Sequence, residues 1–323
     1  MFHYSLVLMF SDNLMFNFIS SLIFLALLLP QGLNFFSDKM ADFSYPQAAV
    51  QSPAPQRIAN NSLGLKTTAK SILIIDDESG AILYEKNSRA SLPIASLTKL
   101  MTALVVLDAK PDWEETIAIA KKDQREGNIV YLLPGDEVKI KDVFNLMLVA
   151  SSNEAAAALA RVFSAGRFTA LMNQKAEALG LADTYFSDSA GLDPANVSSA
   201  KDLVKLAKAA FERPEIISAG EQEIYDFEIL NRKREVRAKS TDQLLSSFLN
   251  RGDYQIIGAK TGYLADIGYC LLLKIKLAGG QSLTLALLGA KTPLDRWQEA
   301  KGLVEWAGRN YVWPDKQDKF SAR

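Results

Sequence analysis

Histidine and cysteine are almost missing from this chain, and both absences restrict its chemistry. Of 323 residues one is histidine, His3, and one is cysteine, Cys270. His3 stands in the extreme N-terminal segment, so a chain that loses this segment, or that starts at Met15, has no histidine at all. A Ser-His-Asp hydrolase, a Cys-His protease and a His-ligated zinc site are then excluded by composition. A general base near neutral pH has to be Lys, Asp, Glu or Tyr. One cysteine excludes an intramolecular disulfide, and its place in an apolar run reads as a small core residue. Excess charge is lacking too. The formal net charge is −1, so the balance points to neither nucleic acid nor an anionic membrane surface. Nothing in the sequence calls for a cofactor or a metal.

What is present divides the chain. Residues 1–36 are apolar, densest from Phe16 to Leu29 ahead of Pro30. The run is shorter than the roughly 20 residues of a membrane span and reads as a signal peptide or an N-terminal membrane anchor. It has no Lys or Arg before it and no small-residue cleavage site directly after it. The expected location is extracytoplasmic, in the periplasm or cell-wall space, either secreted or held at the cytoplasmic membrane. Residues 37–69, with Pro46, Pro53 and Pro55 among Ala, Gln and Ser, read as a flexible linker. Residues 70–312 read as one folded domain and 313–323 as a charged tail.

Within the domain, Ser71–Asp76 and Ala81–Lys86 read as a strand hairpin about Asp77-Glu78-Ser79-Gly80. A helix follows, with Leu100, Leu104 and Leu107 at helical spacing. Helices dominate from 141 to 211, ending with Ser198–Phe211, for which Ser198 or Ser199 is the expected N-cap. Strands are expected at 224–230, 256–259, 269–277 and 282–288, with Gly279-Gly280 as a hairpin turn, and a last helix at 294–311. The fold class is therefore α+β: an antiparallel sheet of sequence-distant strands with an inserted helical block.

Ser96-Leu97-Thr98-Lys99 opens the first helix and puts a hydroxyl and an amine on one helical face. Ser96 as nucleophile with Lys99 as base is one account of it; Ser96 as a helix cap is the other. A second copy, Ser198-Ser199-Ala200-Lys201, suits a cap. Two further motifs follow in order, Ser151-Ser152-Asn153 in a helix-to-helix connection and Lys260-Thr261-Gly262 at the end of a strand. Together they spell the serine-nucleophile set of penicillin-binding proteins and class A β-lactamases. Ser11-Asp12-Asn13, Lys66-Thr67-Thr68 and Lys291-Thr292-Pro293 are partial copies in the wrong context.

The similarity extends beyond the motifs. Pro93 to Ala103, Leu148 to Ala156, Gly191-Leu192, Lys260 to Tyr263 and Gly268-Tyr269-Cys270 all take part, as do Leu288-Gly289-Ala290, Arg296 and Trp306. These segments resemble the low-molecular-mass penicillin-binding proteins, the D-alanyl-D-alanine carboxypeptidases of serine peptidase family S11. The resemblance runs from about residue 70 to 311. It implies the β-lactamase/DD-peptidase (transpeptidase-like) fold and a penicillin-sensitive serine carboxypeptidase that trims peptidoglycan stem peptides ending in D-Ala-D-Ala. It also implies β-lactam antibiotics as covalent inhibitors. By the same resemblance Ser96 is the nucleophile, Lys99 its base, Ser151 the proton relay, and Asn153 orients Lys99 and holds the substrate's amide. Lys260 and Thr261, with Arg296, bind the terminal carboxylate. Gly262 permits close approach to the strand, and the N–H groups of Ser96 and Tyr263 form the oxyanion hole.

Two alternatives belong to the same chemistry. A β-lactamase of class A would add a deacylating glutamate. No Glu-x-x-Leu-Asn segment lies between Asn153 and Lys260; Glu177-Ala178-Leu179-Gly180 is helical and lacks the asparagine. A D,D-endopeptidase that cuts cross-links is the stronger alternative, because the chain stops soon after its last helix where family carboxypeptidases often carry a further domain. An inactive peptidoglycan-binding module would not need the full set of motif residues.

Overall fold

The computed structural model describes residues 52–60, 62, 64–127, 129–164 and 166–314. The expected leader, the first part of the linker (37–51), the Ser11-Asp12-Asn13 copy and the tail from 315 lie outside the described residues.

The second part of the expected linker is no tether. β1 (Gln56–Arg57) pairs antiparallel with the terminal strand Tyr311–Val312, and the Ile58 N–H donates to the Asn310 carbonyl (2.9 Å). Ala69 is fully buried. Proline and alanine hide this in the sequence, yet the backbone groups find partners on the body's own edge.

β2 (Ser71–Asp76) and β3 (Ile82–Lys86) form the expected hairpin. β4 (Leu92–Pro93) leads through a single 3-10 turn, Ala95–Leu97, into α1 (Thr98–Asp108). β5 (Thr116–Ala118) and β6 (Glu137–Lys139) pair as a small ribbon ahead of α2 (Ile140–Val149). α3 (Asn153–Val162), α4 (Phe168–Ala178), β7 (Val197–Ser198), α5 (Ala200–Ala210) and α6 (Pro214–Gly220) continue the helical block. A second ribbon, β8 (Ile224–Ile229) with β9 (Arg234–Lys239), closes it. β10 (Gln255–Leu264), β11 (Gly268–Lys276) and β12 (Ser282–Ala290) follow, then α7 (Pro293–Asn310).

The main sheet has the order β10-β11-β12-β2-β3 and is antiparallel throughout, so the helical block is inserted between strands that neighbour each other in space. Successive side chains of a strand point to opposite faces, and this sheet buries both. Leu73, Leu272, Ala286 and Leu288 join the core under the helical block. Ile72, Ile74, Leu271, Leu273, Leu285 and Leu287 join a second core under α7. Burial of each of these Leu and Ile side chains contributes about 1.5–3 kcal/mol relative to exposure. The strands thus read as continuous apolar runs and not as alternation. Cys270 is buried, as expected of a core residue.

α6 and β9 were not expected. α6 is short and starts at Pro214. In β9, Arg-Glu-Val-Arg-Ala-Lys, only Val236 and Ala238 are buried, so charge conceals the alternation. Lys260 also falls in the middle of β10, not at its end. Thr-Gly-Tyr suggests a turn, but pairing with β11 carries the strand on to Leu264.

Candidate active site

α1 is buried on every face from Thr98 to Leu107, as a helix at the centre of a block must be. Lys99 lies in its first turn, fully buried, while Ser96 in the preceding 3-10 turn is half-buried. Ser96 does not cap the helix: Leu97 is the N-cap residue and no side chain caps it. Ala95 has φ +51°, a left-handed conformation that costs a non-glycine residue about 1–3 kcal/mol. Its reward is the placement of Ser96 on Lys99.

Lys99 Nζ has three partners: Ser96 Oγ (2.8 Å), Asn153 Oδ1 (2.8 Å) and the Ala190 carbonyl (2.7 Å). Asn153 Nδ2 donates to the Glu126 carbonyl (3.1 Å), which turns its Oδ1 toward the lysine. Two of the three partners are carbonyl oxygens that only accept. A neutral amine has two N–H groups and one lone pair. With both N–H groups held by Asn153 and Ala190, the lone pair faces the Ser96 hydroxyl, as a base requires.

Burial brings the Lys99 amine from its ordinary 10.5 down to about 7, against the opposing pull of the Asp188 and Glu154 carboxylates. Lys260, buried as well, is pushed well below its ordinary value by burial, then by Lys99 and Arg296, with Asp242 opposing. The repulsion between the two lysines adds to burial at Lys260.

Ser151 and Ser152 link α2 to α3. The Ser152 hydroxyl accepts the Ala155 N–H (3.0 Å) and caps α3. Ser151 has φ +58° and its Oγ accepts from Lys260 Nζ (2.9 Å). From β10 the neighbouring Thr261 hydroxyl donates to Thr241 Oγ1 (2.7 Å). A β-carbon on Gly262 would lie 2.9 Å from the Ile94 carbonyl oxygen and 3.3 Å from the Ser96 nitrogen. The glycine thus makes room for the segment that carries Ser96. Tyr263 is 53% exposed and stacks on Tyr269 (4.5 Å).

Arg296 lies behind this strand, 8% exposed. Its Nη1 donates to the Gly262 carbonyl (3.3 Å), and its guanidinium stands 4.0 Å from the Trp297 ring and 5.4 Å from that of Tyr269. Two of the partial motif copies are caps: Ser199 Oγ accepts the Asp202 N–H and Thr292 Oγ1 the Asp295 N–H.

Sequence reasoning missed four contributors. Ala190 acts through its carbonyl, which no side-chain pattern announces. Asp188 and Glu154 are the carboxylates nearest in effect to Lys99. Asp242 is buried, its carboxyl is raised to about 6 by burial against Arg296 and Lys260, and its Oδ2 has no hydrogen-bond partner among the described residues.

Comparison with known proteins places this geometry in a family. The profile of the D-alanyl-D-alanine carboxypeptidases, peptidase S11, matches residues 56–292. The D-alanyl-D-alanine endopeptidase of Pseudomonas aeruginosa is 31% identical over 267 residues, which are 81% of this chain and 84% of that protein. The D-alanyl-D-alanine carboxypeptidase DacF of Bacillus subtilis is 30% identical over 252 residues, 75% of this chain but 63% of its own length. Among solved structures, penicillin-binding protein D2 of Listeria monocytogenes in its cefotaxime-bound form has a TM-score of 0.68 and 28% identity, covering 76% of this chain and all of that one.

Proposed function

The chain belongs to the D-alanyl-D-alanine carboxypeptidase family, peptidase family S11, and on that premise we propose that it is a penicillin-sensitive serine carboxypeptidase removing the terminal D-alanine from peptidoglycan stem pentapeptides. The observation that carries this reading is the fully buried Lys99 amine, which lies 2.8 Å from Ser96 Oγ, 2.8 Å from Asn153 Oδ1 and 2.7 Å from the Ala190 carbonyl oxygen.

Ser96 Oγ attacks the carbonyl carbon between the two D-alanines while its proton passes to Lys99. A C–O bond forms, the C–N bond breaks, and the leaving amine takes a proton relayed through Ser151. Water then hydrolyses the acyl-enzyme. The N–H groups of Ser96 and Tyr263 stabilise the oxyanion, whose charge develops only in the transition state. Asn153 holds the substrate's amide. Lys260 and Thr261 take the terminal carboxylate, with Arg296 adding positive potential from behind Gly262. A carboxylate bound at Lys260 favours its charged form, and a charged Lys260 favours a neutral Lys99. Substrate thereby arms its own base. β-Lactams acylate the same serine. The substrate puts the protein outside the cytoplasm. Among the described residues no helix is long and apolar enough to cross a membrane; the proposed membrane attachment is the apolar segment 1–36.

A second reading, cleavage of cross-links, is supported by the similarity to a D-alanyl-D-alanine endopeptidase, 31% identical over 267 residues. Incubation with a pentapeptide stem and with a cross-linked dimer, products read by mass, tests both. Free D-alanine from the first with the dimer intact is expected. Monomers from the dimer would move the assignment to endopeptidase, and no product from either would overturn both.

A further inference from the structure

The Ala190 carbonyl that receives Lys99 Nζ belongs to a loop with a carboxylate at its centre. Asp188 Oδ1 accepts the N–H groups of Ala190 (2.6 Å) and Gly191 (2.6 Å), and Oδ2 those of Leu192 (3.1 Å) and Asp193 (2.7 Å). Asn196 Nδ2 donates to Oδ2 as well (3.0 Å), while Asn196 Oδ1 accepts the Ser187 N–H (3.1 Å). A carboxylate only accepts, and here its lone pairs are filled by the loop itself. From α1, the Thr102 hydroxyl grips the same loop at the Ser189 carbonyl (2.7 Å). Gly191 then rests against the nucleophile turn, where a β-carbon would lie 2.0 Å from the Ala95 carbonyl oxygen.

We propose that Asp188 is a positioning residue for acylation: it sets the loop that presents the Ala190 carbonyl to Lys99, and so aims the lysine's lone pair at Ser96. The inference rests on the reading of Ser96 and Lys99 given above. Asp188 touches neither the amine nor the nucleophile; it acts through four backbone N–H groups. Its role has two separable parts. As a frame it keeps the third partner of Nζ in place. As an anion it opposes the burial that lowers the Lys99 amine, a pull it shares with Glu154 of α3, while the amine of Lys260 in β10, itself pushed down by burial and by Lys99, is the other titratable group linked to it. Loss of the charge would make Lys99 a weaker base that is neutral at lower pH. Loss of the frame would leave one N–H of the amine free to turn its lone pair away from Ser96.

The test is the rate of acylation by a fluorescent penicillin as a function of pH for the wild type, Asp188→Asn and Thr102→Val. Asparagine keeps the size of the side chain but sets an NH2 group against backbone donors. Asp188→Asn is expected to lower the plateau rate at least about tenfold and to move the acid limb to lower pH. Thr102→Val loosens the same loop without touching a charge, so its plateau falls while its limb stays in place. A role in stability alone would leave the limb of a folded Asp188→Asn unmoved, and that result overturns the proposal. If Asp188→Asn does not fold, Thr102→Val decides: a wild-type plateau overturns the proposal, a lowered plateau with unchanged penicillin affinity supports it. A wild type that takes no label at all would instead defeat the Ser96–Lys99 reading, and this inference with it.

Discussion

Gly191 and Ala95 touch so closely that no side chain fits between them: a β-carbon on Gly191 would lie 2.0 Å from the Ala95 carbonyl oxygen and 2.9 Å from Thr98 Oγ1. Gly191 also has φ +79°, which favours glycine. Gly191→Ala must push the turn bearing Ser96 away from Lys99. We expect acylation to slow by about 100-fold, the cost of a misplacement near 1 Å, with a lower melting temperature. Stopped-flow labelling and thermal unfolding check this. Gly262→Ala meets backbone less severely, at 2.9 Å, without a positive φ, and should do less harm.

Lys99 sets a pH dependence. Its amine, brought to about 7 by burial, has to be neutral to act, so acylation should rise with pH through a limb centred near 7 and then level off. Lys99→Arg keeps a permanent cation at the site, and no labelling is expected up to pH 10. The same shift fixes a stability trend. Between about 7 and 10.5 the unfolded chain binds a proton that the folded chain does not, so the stability contributed at this position rises with pH. Any stability gained by Lys99→Met at pH 7 should therefore shrink toward pH 10, as read by denaturant midpoints.

Lys260 should act on the substrate's terminal carboxylate. Lys260→Gln removes a charged partner worth about 1.5–3 kcal/mol, so KM for an acid-ended peptide should rise roughly 10- to 100-fold. A peptide ending in an amide should be a poor substrate for the wild type, and the variant should discriminate far less between the two. Steady-state kinetics on the pair measures it. Equal discrimination before and after the substitution would locate carboxylate recognition elsewhere.

Phe144 anchors α2, the helix that ends at the Ser151 turn. It is 1% exposed and meets the Trp113 ring edge-on at 5.1 Å. Phe144→Ala should cost about 3–5 kcal/mol through the cavity it leaves. Urea unfolding should show a lower midpoint with an unchanged slope.

What the sequence discloses follows from how each residue acts. Ser96, Lys99, Ser151, Asn153 and Lys260 are side chains in local motifs, and the structure sets Lys99 on Ser96 and Asn153, and Lys260 on Ser151. The sheet of sequence-distant strands was legible because β2, β11 and β12 bury both faces and are apolar without interruption. Ala190 was not legible, because any residue supplies a carbonyl. Asp188 was hidden for the same reason, its partners being backbone N–H groups. Of the two accounts of Ser96, the helix cap is not the one found, because Ser96 lies inside the 3-10 turn that precedes α1 and Leu97 takes the N-cap position. The linker reading failed at Gln56–Arg57 because these residues pair with Tyr311–Val312 at the far end of the chain, and composition reports only on neighbours.

The central claim is that Ser96, made nucleophilic by Lys99, forms an acyl-enzyme. Intact-mass analysis after a penicillin pulse, followed by peptide mapping, tests it most directly. The account predicts one adduct per chain, located on the peptide that carries Ser96, and none on a folded Ser96→Ala. An adduct that persists in Ser96→Ala, or that maps to another residue, would contradict it.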